Sequence, residues 1–251
     1  MWILYLILGI LFLLLTAGTV FTVIVFRKFF CRDPNDPDAQ TLRNYRRFEE
    51  NGIDTAGMRE GFAWISSVPC EEHFITSRDG LCLRARYIPA DRPTDRLAVL
   101  IHGYHSSGQN DFAGIFRFYR ERGFDILLPD QWTHGKSEGK YITFGAYERY
   151  DVVDWIRYAV SVKGERKILL SGISMGCTTA LLAAAEPDMP PLRFVAADCG
   201  YTCPRSIFGD VLKAWFHLPP FPVLPIADLL CRCAAKFSFS DFDTRVAVTA
   251  A

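Results

Sequence analysis

The stretch "SGISMG", residues 171–176, decides the fold prediction because it places one serine between two glycines. It follows the apolar run "KILL" and precedes "CTTALLAAA", so it lies where a strand passes into a helix. A tight, strained turn at such a junction projects the serine hydroxyl above the sheet. Side chains at Gly172 and Gly176 would collide with the neighbouring strand and helix. We therefore predict that the Ser174 hydroxyl is presented to an incoming molecule.

Outward from this turn, strand and helix patterns alternate along the chain. The runs "RLAVLI", "FDILLPD", "KILLSG" and "LRFVAAD" are continuously apolar, and "EHFITSRDGLCLRARYIPA" reads as two strands around a turn. Between them, "DFAGIFRFYRERG" and "AYERYDVVDWIRYAVSVKG" each read as one helix closed by glycine. This alternation predicts an α/β fold with a mostly parallel sheet covered by helices on both faces.

The N-terminal segment carries no charged side chain over residues 1–26. As a helix it would be roughly 39 Å long, so we predict a transmembrane helix over residues 1–28. A buried core helix and a cleaved signal peptide are the alternatives, but the segment is apolar on every face and lacks a basic start. Arg27, Lys28 and Arg32 follow directly. The positive-inside rule then predicts a single-pass cell-membrane protein whose C-terminal domain faces the cytoplasm.

These patterns divide the chain into four predicted parts. They are a transmembrane helix (1–28), a juxtamembrane linker with a short helix (29–69), an α/β core (70–202) and a partial cap (203–251). The cap region is apolar and interrupted by prolines, and it predicts two helical pieces.

Composition excludes several functional classes. The chain has 28 basic and 28 acidic residues, so there is no electrostatic case for nucleic-acid binding. Its eight cysteines show no metal-site spacing, and they are most simply free thiols. We expect neither a metal nor an organic cofactor.

Four motifs occur in order at predicted strand ends. They are His102-Gly103-Tyr104, "THGKSEG" (133–139), the turn around Ser174 and "ADCGYT" (197–202). Together they resemble the α/β-hydrolase superfamily. More closely they are similar to the bacterial membrane-anchored hydrolases described as serine-aminopeptidase-like or prolyl-oligopeptidase-like. The resemblance covers roughly residues 70 to 240, and it implies an α/β-hydrolase fold.

The resemblance also implies a role for each motif. Ser174 would be the nucleophile, and the backbone N–H groups of Tyr104 and Met175 would form the oxyanion hole. The shaping residues would be His102, Gly103, Gly172 and Gly176. Possible accessory residues are His134, in the "HGKSEG" loop, and Asp198, at the end of the last strand.

The sequence does not supply the base that a serine nucleophile needs. In the family the acid and the histidine follow the seventh and eighth strands, whereas "LRFVAAD" corresponds to the sixth. The only histidine after Ser174 is His217, in the cap region. We therefore predict that the fold lacks its last two strands through C-terminal truncation, that the chain is inactive as it stands, and that "RFVAAD" is an exposed apolar edge.

Two functions follow as hypotheses. The first is a membrane-anchored serine hydrolase that cleaves an ester, a thioester or a peptide bond. Its substrate would be a small molecule or a peptide, and the apolar cap residues favour an acyl group; these are Phe208, Trp215, Phe216 and Phe221. The alternative is a non-catalytic, membrane-tethered binding or scaffold protein that retains the hydrolase shell.

Overall fold

The computed structural model describes residues 1–32, 37–164 and 166–250, and part of the predicted linker (33–36) lies outside this range. The described strands are β1 (Glu71–Thr76), β2 (Cys82–Ile88), β3 (Arg96–Ile101), β4 (Asp125–Pro129), β5 (Lys167–Ile173) and β6 (Leu192–Asp198). The described helices are α1 (Trp2–Phe30), α2 (Pro37–Glu50), α3 (Ala56–Ser67), α4 (Gly108–Asp111), α5 (Phe116–Glu121), α6 (Glu148–Lys163), α7 (Met175–Ala184), α8 (Pro204–Phe216), α9 (Pro220–Ala234) and α10 (Thr244–Ala250).

The described strands form one sheet in the order β1-β2-β4-β3-β5-β6. The first two strands of this order pair antiparallel, β2 also pairs antiparallel with β4, and the remaining pairs are parallel. The predicted mostly parallel sheet is thus confirmed. Because the sheet is covered on both faces, β3 is buried along its whole apolar length, residues 97–101.

Alternate residues of β3 enter two different cores. Leu97, Val99 and Ile101 pack with side chains of α6 and α7. Ala98 and Leu100 face the other way and pack with side chains of α3, α5 and the turn between α4 and α5. Successive side chains of a strand point to opposite faces of the sheet. A central strand that is buried on both faces is therefore apolar at every position, as the sequence of β3 is.

The predicted single helix "DFAGIFRFYRERG" is replaced by the short helices α4 and α5, with a turn at residues 112–115 between them. Helix α3, which falls in the predicted linker region, packs directly on this turn. A Cβ atom on Gly61 would lie only 1.9 Å from the carbonyl oxygen of Ala113. The turn between α4 and α5 is therefore shaped by its close contact with α3. A local sequence pattern does not record a contact between residues so far apart in the chain.

The N-terminal helix differs from its predicted role. Within the residues that the structure describes, no helix combines the length and the apolar character needed to cross a membrane. The last two turns of α1 instead bury Phe26 and Phe30 against aromatic side chains of the protein. The transmembrane helix predicted for residues 1–28 is accordingly not supported, because this end of the helix packs on protein.

The region after Gly200 forms the two predicted cap helices, α8 and α9, followed by α10. The cap helices share a core with the C-terminal end of α1. Helix α10 packs instead against α7, which starts at the Ser174 turn. Thus the C-terminal end of α1 packs on the cap helices, and α10 packs on the helix that begins after Ser174.

Candidate active site

Ser174 occupies a strained turn between β5 and α7. Its backbone angles are φ 55° and ψ −118°, a region that a residue with a side chain rarely adopts. The flanking glycines allow this turn. A Cβ atom on Gly172 would lie 2.2 Å from the Gly176 carbonyl oxygen, and one on Gly176 would lie 2.1 Å from the Ile101 carbonyl oxygen. The two glycines therefore let three segments of backbone meet at the serine.

Backbone hydrogen bonds hold the turn in place. The Ser174 N–H donates to the carbonyl oxygen of Asp198 over 2.9 Å, and the Ser174 carbonyl accepts from the Cys177 N–H over 3.0 Å. Asp198 itself has an exposed side chain, so its contact with the turn is through the main chain. Met175 begins α7, and the N-terminal end of that helix places a partial positive charge at the serine.

The loop after β3 packs against this turn. A Cβ atom on Gly103 would lie 3.3 Å from both the Ser174 Cβ atom and the Ile173 carbonyl oxygen. Only a glycine allows so close an approach without displacement. The structure thus brings Gly103 next to Ser174. The oxyanion-hole roles of Tyr104 and Met175 stay predictions.

Asp111 holds the same loop, and sequence reasoning missed it. Its Oδ2 atom accepts from the Gly103 N–H over 2.6 Å, and its Oδ1 atom accepts from the Ser106 hydroxyl over 2.5 Å. Asn110 also donates to Oδ1 over 3.2 Å. One carboxylate thereby joins two residues of the loop that flank Tyr104. The available signal was an acidic residue in a short helix capped by Ser107, directly after the loop.

His102 and His134 support the loop by hydrogen bonding. The Nε2 atom of His102 accepts from the Gln131 N–H over 3.0 Å, and its Nδ1 atom contacts the Gly103 carbonyl over 2.8 Å. His134 Nδ1 lies 2.9 Å from the Trp132 carbonyl, and its Nε2 accepts from the His105 N–H over 3.1 Å. Burial, and to a smaller degree the neighbouring His102, lower the pKa of His134 well below its usual value. Both ring nitrogens of each histidine are therefore engaged in shaping the loop.

The remaining histidines lie in other environments. His105 stacks on the ring of Tyr104 with centroids 3.9 Å apart. His217 follows the last residue of α8 in a left-handed conformation and has an exposed side chain. His73, on β1, hydrogen-bonds the hydroxyl of Tyr158, on α6. Among the described residues, no histidine or carboxylate hydrogen-bonds the Ser174 hydroxyl. The part of the chain that the structure describes therefore places no candidate base on this hydroxyl.

The side chain of Tyr104 reaches the N-terminal helix. Its hydroxyl donates to the Phe29 carbonyl oxygen over 3.1 Å. Its ring stacks on Phe144, with centroids 5.5 Å apart, and Phe144 in turn contacts Phe30 and Phe208. An aromatic path thus runs from the loop beside Ser174 to α1 and the first cap helix. Sequence patterns held no signal for it, because its members are far apart along the chain.

Comparison with known proteins supports the fold. Residues 92–200 match the family model described as serine aminopeptidase, S33. An esterase of Pyrococcus furiosus has a similar structure, with a TM-score of 0.54, 23% sequence identity and coverage of 69% of this chain and 65% of that one. The chain has the α/β-hydrolase fold. At this identity the esterase supports the fold alone, and the matched segment runs from β3 to just beyond β6.

Two curated proteins are similar in sequence to part of this chain. The uncharacterized protein YqkD of Bacillus subtilis (strain 168) is 30% identical over 147 residues, which are 58% of this chain and 48% of that protein. The uncharacterized protein YfhR of Escherichia coli O157:H7 is 24% identical over 147 residues, 57% of this chain and 51% of that protein. The chain therefore spans about half the length of these relatives.

Proposed function

We propose that this protein is a serine hydrolase that cleaves an ester, a thioester or a peptide bond, with Ser174 as the nucleophile. The observation that carries the proposal is the strained Ser174 turn pressed against the loop that follows His102. The backbone N–H groups of Tyr104 and Met175 are the proposed oxyanion donors, one from each side of this contact. A single such donor is typically worth about 100- to 1000-fold in rate.

The proposed mechanism needs a base to take the proton from Ser174. Attack of the hydroxyl oxygen on the substrate carbonyl would break the bond to the alcohol, thiol or amine, which leaves with the proton that the base took from Ser174, and the acyl group stays on the serine. Water would then release the acid and restore the Ser174 hydroxyl. The described residues do not place a base on the hydroxyl, so the proposal includes one that is yet to be identified. Substrate class rests on the apolar cap: we propose a small-molecule or peptide substrate, with an acyl group preferred.

A second function is favoured by the same missing contact. A serine whose hydroxyl has no basic partner among the described residues fits a non-catalytic binding or scaffold protein that retains the hydrolase shell. Membrane tethering and a cytoplasmic C-terminal domain were part of both hypotheses. They rested on the span predicted for residues 1–28, and they stay predictions for a localisation experiment.

The test is covalent labelling of the full chain with a fluorophosphonate, read by mass spectrometry of the peptide that contains Ser174. We expect one adduct on Ser174, lost in Ser174→Ala and kept in Ser240→Ala, a control at an exposed serine of the cap region. A folded chain that gives no adduct would contradict the hydrolase proposal and favour the scaffold protein. Cooperative thermal unfolding by circular dichroism shows that the chain tested is folded.

A further inference from the structure

The loop after β4 is attached to the end of the N-terminal helix. Residues 29–32, the last two residues of α1 and the two that follow it, are here called the α1 terminus. The Arg32 guanidinium donates to the Ser137 carbonyl over 2.6 Å and to the Gly135 carbonyl over 2.5 Å. The Arg32 N–H also donates to the Lys140 carbonyl over 3.1 Å. Both the side chain and the main chain of Arg32 therefore hold this loop.

The α1 terminus also contacts the loop after β3. The last carbonyl groups of a helix have no partner within the helix and must find one elsewhere. The Phe29 carbonyl accepts from the Tyr104 hydroxyl over 3.1 Å, and the Phe30 carbonyl accepts from the Ile142 N–H over 2.8 Å. The end of the helix is thus completed by Tyr104, from the proposed oxyanion loop.

The two loops are joined to each other through His134. Its Nε2 atom accepts from the N–H of His105, the residue after Tyr104, over 3.1 Å. His134 also precedes Gly135, whose carbonyl is bonded to Arg32. A closed path of contacts therefore starts at the α1 terminus, passes through both loops and returns to the α1 terminus.

The peptide group between Gly135 and Lys136 is held from both sides. Its carbonyl accepts from the Arg32 guanidinium, and its N–H donates to the Asp130 carboxylate over 2.9 Å. A peptide placed between a cation and an anion is polarised, and each hydrogen bond strengthens the other. Arg32 is therefore the outer partner of a fixed feature of the loop after β4.

We propose that the α1 terminus positions the oxyanion loop of the enzyme, with Arg32 and the Tyr104 hydroxyl as its two positioning contacts. The inference rests on the proposed function, because the position of a donor matters only if Ser174 reacts. It extends that function to a segment outside residues 92–200, which match the family model.

Other residues attach α1 to the protein. Phe26 and Phe30 are 8% and 3% exposed, and Phe30 contacts the rings of Phe144 and Phe208. Removal of the Arg32 side chain should therefore leave α1 in place and release only the loop after β4. This separates a positioning role from a general role in folding.

The first experiment measures the rate at which a fluorophosphonate labels Ser174 in the full chain. Arg32→Ala should slow labelling about tenfold, because the loop can move from its bonded position. Arg32→Lys keeps the charge and can donate to one carbonyl, so its rate should lie between those of Arg32→Ala and wild type. Arg92→Ala, at an exposed arginine of the loop before β3, is the control and should keep the wild-type rate. A folded Arg32→Ala variant that labels as fast as wild type would overturn the proposal.

A double-mutant cycle tests whether the two contacts act on the same loop. Tyr104→Phe removes the hydroxyl, keeps the ring and the backbone N–H, and should also slow labelling about tenfold. Loss of either contact opens the closed path, so the double variant with Arg32→Ala should be slowed only about 10- to 20-fold. Slowing by about 100-fold, the product of the single effects, would contradict a shared role. Thermal unfolding identifies a variant that fails to fold, and the other single variant then carries the test.

A second readout follows the ring of His134 and does not depend on the serine. His134 is buried, and the charged groups that face it are His102, His105 and Arg32. Burial lowers the pKa of His134 most, these neighbours lower it further, and the Trp132 carbonyl acts in the opposite direction. Arg32→Ala removes a positive charge and loosens the loop, and both changes should raise the pKa of His134.

Heteronuclear NMR of the imidazole rings across a pH titration of the full chain measures this pKa. We expect a higher pKa of His134 in Arg32→Ala than in wild type, and the wild-type value in Arg92→Ala. An equal pKa in Arg32→Ala and wild type would show that Arg32 does not act on the loop, and would refute the inference. Absence of any label on wild-type Ser174 would count against the proposed function, while the NMR titration would still decide whether Arg32 holds the loop.

Discussion

Asp111 is the residue on which the geometry of the proposed oxyanion loop most depends. Its two carboxylate oxygens bond the Gly103 N–H and the Ser106 hydroxyl, which lie on either side of Tyr104. An oxyanion donor acts only when it points at the developing charge, so a loop shift of about 1 Å can cost about 100-fold in rate. Asp111 would thus act through the loop, as a positioning residue for the proposed reaction.

We predict that Asp111→Ala slows fluorophosphonate labelling of Ser174 about 10- to 100-fold. Asp111→Asn should retain most of the rate, because its amide oxygen still accepts from Gly103 and its amide nitrogen can donate to Ser106. Asp210→Ala, at an exposed carboxylate of α8, is the control. Labelling as fast in Asp111→Ala as in wild type would rule out the positioning role. An Asn variant as slow as the Ala variant would mean that charge, and not hydrogen-bond geometry, is what matters.

His134 lies in the loop after β4, and its side chain joins this loop to the loop after β3 by a hydrogen bond. In the folded chain His134 is neutral, since burial keeps its pKa well below 6.5. Its Nε2 accepts the His105 N–H, which a protonated ring could not do. In the unfolded chain the ring takes up a proton near pH 6.5. The contribution of this contact to stability is therefore complete above that pH, and it is lost as the pH falls below it.

The expected outcome is a steeper acid destabilisation of wild type than of His134→Gln. Between pH 7.5 and 5 the wild-type free energy of unfolding should fall by up to about 2 kcal/mol more than that of the variant. Chemical denaturation at the two pH values measures the difference. His217→Gln, at the exposed end of α8, is the control, and its free energy of unfolding should fall between the two pH values by as much as that of wild type. An equal fall in the free energy of unfolding of wild type and His134→Gln between the two pH values would show that folding does not lower the pKa of His134.

At the scale of elements, local patterns predicted most of the sheet and missed what long-range contacts add. The six strands, the α6 helix ending at Gly164 and the helix after Ser174 follow from apolar runs and glycines in the printed sequence. Helix α3 and the break between α4 and α5 do not. That break depends on the contact between Gly61 and Ala113, residues whose proximity no local periodicity records.

The whole molecule presents two unlike sheet edges. At one edge, β1 carries Glu71 and Glu72, charged residues of the kind that discourage further strand pairing. At the other edge, β6 pairs only with β5 within the described chain, and its Phe194 is 60% exposed. This is the exposed apolar edge that the sequence predicted for "RFVAAD". The charges of β6 are at Arg193 and at its last residue, Asp198, so the stretch between them is an apolar template for pairing with another chain.

We predict that the chain self-associates with rising concentration through β6, and that Phe194→Lys reduces this association. Sedimentation velocity at several protein concentrations measures it. Phe74→Lys is the matched control, because Phe74 is 52% exposed on the edge that is already charged. Equal association of wild type and Phe194→Lys would show that β6 is not the contact surface. The variant places its charge on an exposed side chain, so the folded sheet should keep its stability within about 0.5 kcal/mol.

The sequence by itself determined the α/β class, the order of its strands along the chain and the position of the serine turn. These are local properties: a glycine is required where a Cβ would collide, and an apolar run must be buried. The partner that covers an apolar run, whether a membrane or another part of the chain, is not specified by the run itself. The N-terminal helix read as a membrane span, yet its last turns pack on Phe144 and the cap, and only the tertiary structure decided this. Asp111 at the loop and Arg32 at the α1 terminus were decided in the same way, because a hydrophobic or hydrogen-bonding side chain does not specify its partner until the chain has folded.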